Sequence, residues 1–194
     1  MKKLISFLAL SSLTTAFSLH AAGHGEKLPV WKIDTVHSGV TFKIRHFFNK
    51  VPGSFGEFEG EIHFDGEHID KSKAVATIKP TSVDTNNEDR DEHLQNADFF
   101  NTPEFPEATF ESTSWEATGD STFKITGNLT LLNTTKEVVL ETEFLGTGEG
   151  RGGKIISGWE ASATIDRRDF GITYGQGVVG NEVDIVLNIQ AHKQ

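Results

Sequence analysis

From residue 40 onward the chain alternates apolar and polar side chains with a period of two, and no other feature limits its fold as strongly. Val40, Phe42, Ile44, His46 and Phe48 share one face of a first segment, with Thr41, Lys43 and Arg45 on the other. Phe58, Gly60, Ile62 and Phe64 oppose Glu57, Glu59, Glu61, His63 and Asp65. Phe123, Ile125, Gly127, Leu129 and Leu131 oppose Lys124, Thr126, Asn128 and Thr130. Over 155–166, Ile155, Trp159, Ala161 and Ile165 stand against Glu160, Thr164 and Asp166. At the end, Val183, Ile185, Leu187 and Ile189 stand against Asp184, Asn188 and Gln190. One apolar and one charged face per segment is the pattern of an antiparallel sheet with a single buried side. Segments at 74–83, 107–117 and 137–146 have the right length but a less regular pattern.

These segments predict an all-β chain of about eight strands. Turn signals separate them at Pro52-Gly53, Asp65-Gly66, Gly119-Asp120, Asn133-Thr134 and 150–153. An even series of amphipathic strands closes most simply into a barrel, which removes exposed edges; a two-sheet sandwich is the alternative. The interior of an eight-stranded barrel is either filled by side chains or just large enough for one ligand. Gaps at Gly60, Gly127, Ser112 and Ala161 among the inward phenylalanines favour a cavity. The outward faces carry Lys, Arg and Glu at mid-strand, which a lipid-facing belt would not tolerate.

One segment leaves the alternation. Thr85-Asn86-Asn87-Glu88 has capping-box spacing, so a short polar helix is expected over about 86–97, presenting Leu94 and Ala97 on one side. It leads into Asp98-Phe99-Phe100 and is closed by Pro103 and Pro106, as a lid over a barrel mouth would be.

The N-terminus reads as an address. Lys2-Lys3, an apolar run from Leu4 to Leu19 broken only by Ser and Thr, and Ala21-Ala22 have the order of a cleaved secretory signal over 1–22. Cleavage after Ala21 and after Ala22 fits equally well. Residues 23–194 then form one exported domain with no stable membrane span. The leader holds two of the 18 basic residues and none of the 28 acidic ones, so its removal deepens the net charge from −10 to −12. That balance repels phosphate backbones and anionic lipid head groups, so nucleic acid is a poor candidate partner and none is expected. With no cysteine in the chain, burial alone must stabilise the fold, and thiol chemistry and Cys-based metal sites are excluded.

Several short strings have structural readings. Gly175-Gln176-Gly177-Val178-Val179-Gly180 matches the dinucleotide fingerprint, but the last 14 residues after it alternate as a strand rather than opening a helix. It reads as a loop between the last two strands. Asp169-Phe170-Gly171 resembles a kinase string without its companions. The histidines show no metal-binding spacing, and no metal site is expected. His46, on an apolar strand face, reads as a core histidine. Asp91 and His93 in the lid are the best acid–base pair the sequence offers for a hydrolase, but no activated nucleophile accompanies them, and no catalytic residues are expected.

The stretch from Thr81 to Leu94, continuing to Asp98-Phe99-Phe100, resembles the most characteristic segment of the YceI family. Trp31-Lys32-Ile33-Asp34 with His37-Ser38, Arg45-His46, Gly53-x-Phe55, Phe105-Pro106-x-Ala108-Thr109-Phe110, Gly127-x-Leu129-Thr130-Leu131 and Asp169-Phe170-Gly171 agree in order, across essentially the whole chain after the leader. Asn133-Thr134 departs from the Gly-containing turn expected there. The resemblance implies a lipocalin-like eight-stranded barrel, a periplasmic location and a pore for a polyisoprenoid chain; some relatives are linked to stress and to quinone metabolism. By position, it implies a pore lined by Phe42, Ile44, His46, Phe58, Ile62, Phe64, Phe110, Leu129, Leu131 and Trp159. Leu94, Phe99 and Phe100 would close one end, and Arg90 and His93 would meet a polar or phosphorylated head group. No cofactor is expected beyond a bound isoprenoid or isoprenoid quinone. Acidic turns and an exposed strand face would support a homodimer.

Overall fold

The computed structural model describes residues 27–194; the leader expected over 1–22 lies outside the described residues, as do His20 and His24. The strands are β1 (Val30–Ile33), β2 (Gly39–His46), β3 (Asn49–Phe55), β4 (Phe58–His63), β5 (Lys73–Ile78), β6 (Val83–Asp84), β7 (Ala108–Ala117), β8 (Thr122–Leu131), β9 (Thr134–Glu149), β10 (Ile155–Asp166) and β11 (Val179–Lys193). The first six form three bent staves. β1 pairs with β4 where β2 pairs with β3, and β5 and β6 continue that ladder on β4 and β3. The barrel thus has eight antiparallel staves, each bonded to the next in sequence and closed by β1 and β2 against β11. This is the all-β, eight-stranded antiparallel barrel that the alternation predicts.

The segments with imperfect alternation owe their irregularity to bulges. The β7–β8 register shifts between Ser112 and Ser114, so the inward set Ala108, Phe110, Ser112 resumes at Trp115 rather than at Ser114. On β9 the inward set Val138, Leu140, Thr142, Phe144 ends where Gly158 pairs with Gly146 and Trp159 with Phe144, leaving Leu145 exposed. An extra residue in one strand reverses the face of everything beyond it.

Three expectations about strand ends are corrected. Pro52-Gly53 is not a turn: both lie within β3, paired with Lys43 and Phe42. The hairpin turns instead at Phe47-Phe48, with His46 opposite Asn49, and Phe48 is exposed rather than on the buried face. Ile155, expected inside, is also exposed, while Ser157 is buried and accepts the Trp159 indole N–H at 3.1 Å.

The barrel is solid at one end. Phe64 is surrounded there by Trp159, Phe144, Phe123 and Trp115, with ring centroids 4.8, 5.2, 5.7 and 5.8 Å away. Trp31, Ile62, Ile125 and Ala191 complete the cluster. The Trp31 indole N–H donates to Phe64 O at 2.8 Å. Each large apolar side chain buried here contributes about 1.5–3 kcal/mol, enough for a plug of this size to hold a cysteine-free barrel closed.

At the opposite end the connection from β6 to β7 carries α1 (Glu88–Gln95). The helix begins two residues later than expected, because Asn86 turns the backbone at φ 59° and Asn87 becomes the cap, accepting from Arg90 N at 2.9 Å. Thr85 is no cap; it is buried beneath the lid. Ala97 lies beyond the helix and is exposed.

Candidate functional site

Between the aromatic plug and the lid, the inward side chains leave open space. A chamber of 480 Å³ under the lid is lined by Phe42, Ile44, Phe55, Leu94, Phe99 and Phe100, among others. Below it lies a second space of 180 Å³, lined by Phe58, Ile62, Phe110, Leu129, Trp159 and further aliphatic residues. Phe42, Phe55 and Ile185 line both spaces and stand at the boundary between them. The Phe42 and Phe55 rings are 5.5 Å apart there. Along β11 the lining runs from Val179 to Ile189, about 30 Å of strand before tilt is allowed for. The combined site is long, narrow and almost wholly apolar.

Phe42, Ile44, His46, Leu94, Phe99 and Phe100 border the upper chamber, and Phe58, Ile62, Phe110, Leu129 and Trp159 the lower. Phe64 is the centre of the plug and not a pore wall, since the ring closes on four aromatic neighbours. Leu131 borders neither space; it is the last residue of β8, opposite Thr134 at the hairpin turn. His46 is exposed at the mouth rather than held in a core, because the hairpin turns at the next residue.

The lid is fastened by a short relay. Arg90 donates from Nε to Thr85 Oγ1 and from Nη2 to Thr85 O, both at 2.7 Å. The Thr85 hydroxyl and backbone N–H in turn donate to Asp91 Oδ1 at 2.5 and 2.9 Å. Asp91 is therefore committed to the lid anchor, and His93 pairs with Asp98 at 3.0 Å instead of with Asp91. The His93 ring also meets Phe99 and Tyr174 edge-on, each at 5.1 Å. The acid–base pair of a hydrolase is not assembled; its members have separate structural partners.

Arg167 is a site residue that the sequence reading misses. It borders the upper chamber, is 3% exposed, and faces four backbone carbonyls. Nε donates to Gly180 O at 2.7 Å, Nη1 to Ile172 O and Tyr174 O at 3.0 and 2.7 Å, and Nη2 to Val179 O at 3.2 Å. Burial pulls its pKa below the ordinary value, opposed by Asp166, yet a guanidinium stays charged in any protein. A signal for it exists: Trp159, Ala161 and Ile165 point inward, and the same period places Arg167 inward as well. The Asp169-Phe170-Gly171 string just after it is a helical turn whose Phe170 is buried and whose Gly171 closes it at φ 87°.

Among the described residues, no group of three or more His, Cys, Asp or Glu side chains is arranged to hold a metal ion, and no helix is long and apolar enough to cross a membrane.

Comparison with known proteins gives consistent relatives. The family model described as the YceI-like domain matches residues 31–191. A UPF0312 protein of Azotobacter vinelandii is 37% identical over 196 residues, covering 100% of both chains. The crystal structure of Burkholderia cenocepacia BcnA superposes with a TM-score of 0.76 at 22% identity, over 82% of this chain and 99% of that one. A polyisoprenoid binding domain from Saccharophagus degradans, implicated in plant cell wall breakdown, has a TM-score of 0.66 at 16% identity, over 84% of this chain and 98% of that one.

Proposed function

The chain belongs to the YceI family, and from that membership we propose that it is an exported carrier holding an isoprenoid lipid, of the quinone or polyprenyl phosphate type, along its barrel axis. The observation that carries the reading is the pair of adjoining apolar spaces of 480 and 180 Å³, walled by strands, floored by the aromatic plug and roofed by α1. The upper one alone falls in the roughly 300–1,000 Å³ range of small-molecule sites. The shape suits an extended, branched apolar chain. Each buried methylene contributes about 0.8 kcal/mol, so a few isoprene units offset the cost of ordering the chain.

The cationic and imidazole groups gather at one end. Arg90, His93, His46 and Arg167 border the upper chamber, whereas the lower is lined almost entirely by apolar side chains. In this reading the tail points toward Trp159 and the head group stays near the lid. The protein sequesters its ligand without turning it over, and the leader directs it to the periplasm, where a membrane lipid in transit needs shelter from water. A fold-level likeness to a polyisoprenoid binding domain supports the same ligand class.

The test is direct. Protein isolated from its own host is extracted with organic solvent and the extract is analysed by mass spectrometry, and the emptied protein is melted with and without added prenyl lipids. A co-purifying isoprenoid and a raised melting temperature are expected. Empty extracts together with an unchanged melting temperature overturn the reading.

A further inference from the structure

The β2–β3 hairpin ends in two adjacent phenylalanines that the fold leaves in water. Phe48 is 93% exposed and Phe47 56% exposed. Phe47 also holds φ 51°, at the first position of a two-residue loop where glycine is the usual choice, because a bulky side chain is strained there. Neither core packing nor turn geometry accounts for Phe-Phe at this tip. Paired aromatic rings kept in solvent mark a surface that meets something apolar.

The tip is tied to the mouth of the chamber. The Phe47 amide donates to Val178 O at 2.8 Å, joining the hairpin to the loop before β11, whose Tyr174 and Val178 are also exposed. Tyr174, Val178 and His46 border the upper chamber as well. The exposed apolar rim and the entrance to the cavity are therefore one place.

Cations stand immediately behind the rings. Arg45 and Lys50 are direct cross-strand partners on the outward face, with Lys43 two positions along the same strand. Like charges placed opposite one another are unfavourable without a partner. Lys50 is bonded to Asp184, whose carboxyl it holds below the usual range, and Asp184 is also the cross-strand partner of Lys43. Arg45 has no carboxylate within ion-pair distance among the described residues. On a chain of net charge −10 such a cluster is out of keeping with the surface. β6, from which α1 rises, pairs with the far end of β3, about 20 Å along the strand from the tip, and the helix returns to the rim, where His93, bonded to Asp98, meets Tyr174 at 5.1 Å.

We propose that the β2–β3 tip is a membrane-docking element: Phe47 and Phe48 enter the interfacial layer of a bilayer bearing anionic headgroups, and Arg45, the cation of the group without a carboxylate partner, meets its phosphates. Aromatic and aliphatic side chains backed by basic ones are the chemistry of interfacial binding. The arrangement sets the mouth of the chamber against the lipid from which a ligand enters. Its purpose rests on the carrier reading, but its physics does not.

The test uses sedimentation with phosphatidylcholine vesicles, with and without phosphatidylglycerol, at low and raised salt. Binding that requires phosphatidylglycerol and weakens with salt is expected. The F47S/F48S double variant is expected to bind at least about tenfold more weakly, and R45E more weakly in the same direction. Phe48→Ser alone, at a fully solvated ring, cannot fail through misfolding and is expected to show part of the loss. Both tip variants keep the melting temperature gain given by farnesol, since neither ring borders the cavity. Absence of binding by the native protein, indifference to phosphatidylglycerol, or unchanged binding by the double variant each overturns the proposal. So does a shift from dimer to monomer in the double variant with vesicle binding intact, which would make the tip a self-association face. If the native protein binds vesicles but farnesol leaves its melting temperature unchanged, the docking element stands and the carrier reading falls.

Discussion

The Phe42 ring lies flat over Gly53, its partner across the β2–β3 ladder, so closely that a Cβ on Gly53 would come within 2.3 Å of Cζ. The glycine is what lets Phe42 lie down at the boundary between the two chambers. Gly127 supports Phe110 in the same way, with a Cβ 2.4 Å from that ring, but there the backbone oxygen of Glu111 is also 2.7 Å away.

That difference gives opposite expectations for two alanine substitutions. In Gly53→Ala the obstructing atoms are all at the end of one side chain, beside empty space, so the ring swings into the space between the two chambers. Stability should fall by less than about 1 kcal/mol while long prenyl ligands lose affinity and short ones keep it. In Gly127→Ala the Glu111 carbonyl cannot move without breaking the β7–β8 ladder, and a loss of about 1–3 kcal/mol is expected. Urea denaturation and a chain-length series of prenyl alcohols check both.

The lid relay should behave as one unit. Asp91→Ala leaves the buried Thr85 N–H and hydroxyl without their acceptor, a cost of about 1–3 kcal/mol. Hydrogen exchange across 88–95 should quicken and bound prenyl ligand should dissociate faster. Asp91→Asn retains an oxygen acceptor and should recover much of the loss, which a role as catalytic acid would not allow.

How far the sequence is legible depends on the range of each interaction. Alternation is local, so it places Phe42, Ile62, Phe110 and Ile185 inward without knowledge of their partners. The turn at Phe47-Phe48 escapes because it lacks turn chemistry, while Pro52-Gly53 has that chemistry and sits in a strand: Gly53 is there for the Phe42 ring. Phe64 reads as pore wall because facing inward cannot tell plug from pore; only the convergence of residues 115, 123, 144 and 159 decides that. Arg167 is missed for another reason, since an inward-facing charge looks like the end of a strand until the loop carbonyls around it are known.

Acid should loosen the barrel at its seam and at the β4–β5 connection. Asp34, past the end of β1, accepts from His37, His192 and Gln190 at 2.7, 2.9 and 3.1 Å. The His37 bond above all holds its carboxyl well below the usual range. Asp65 is lowered to about 2, first by the His68 backbone N–H and then by the His68 side chain, working against burial. A carboxylate depressed in the folded state contributes stability that is fully present above its unfolded value of about 4. It is lost as pH falls from there toward the folded value. The urea midpoint should therefore hold steady from neutral pH to about 5 and drop between about 4 and 2. Asp34→Asn and Asp65→Asn should each lower the neutral midpoint and flatten that drop.

Arg167 should prove the costliest of the polar residues around the chamber. Its guanidinium is the shared partner of carbonyls from Ile172, Tyr174, Val179 and Gly180, so it fixes the whole connection between β10 and β11. Arg167→Met keeps the volume but leaves those oxygens unpaired in a site that water reaches only through the mouth. A loss of about 3 kcal/mol or more is expected. Arg167→Lys retains the charge but has three donors on a single point and cannot reach all four carbonyls, so it should fall between the native protein and Arg167→Met. Hydrogen exchange should locate the loosening in residues 172–180, not in the plug. Because the same loop carries Tyr174 against His93 and Val178 against Phe47, both variants should also release prenyl ligand faster. A charged residue buried for head-group binding alone would weaken affinity without loosening that loop, and the exchange pattern separates the two roles.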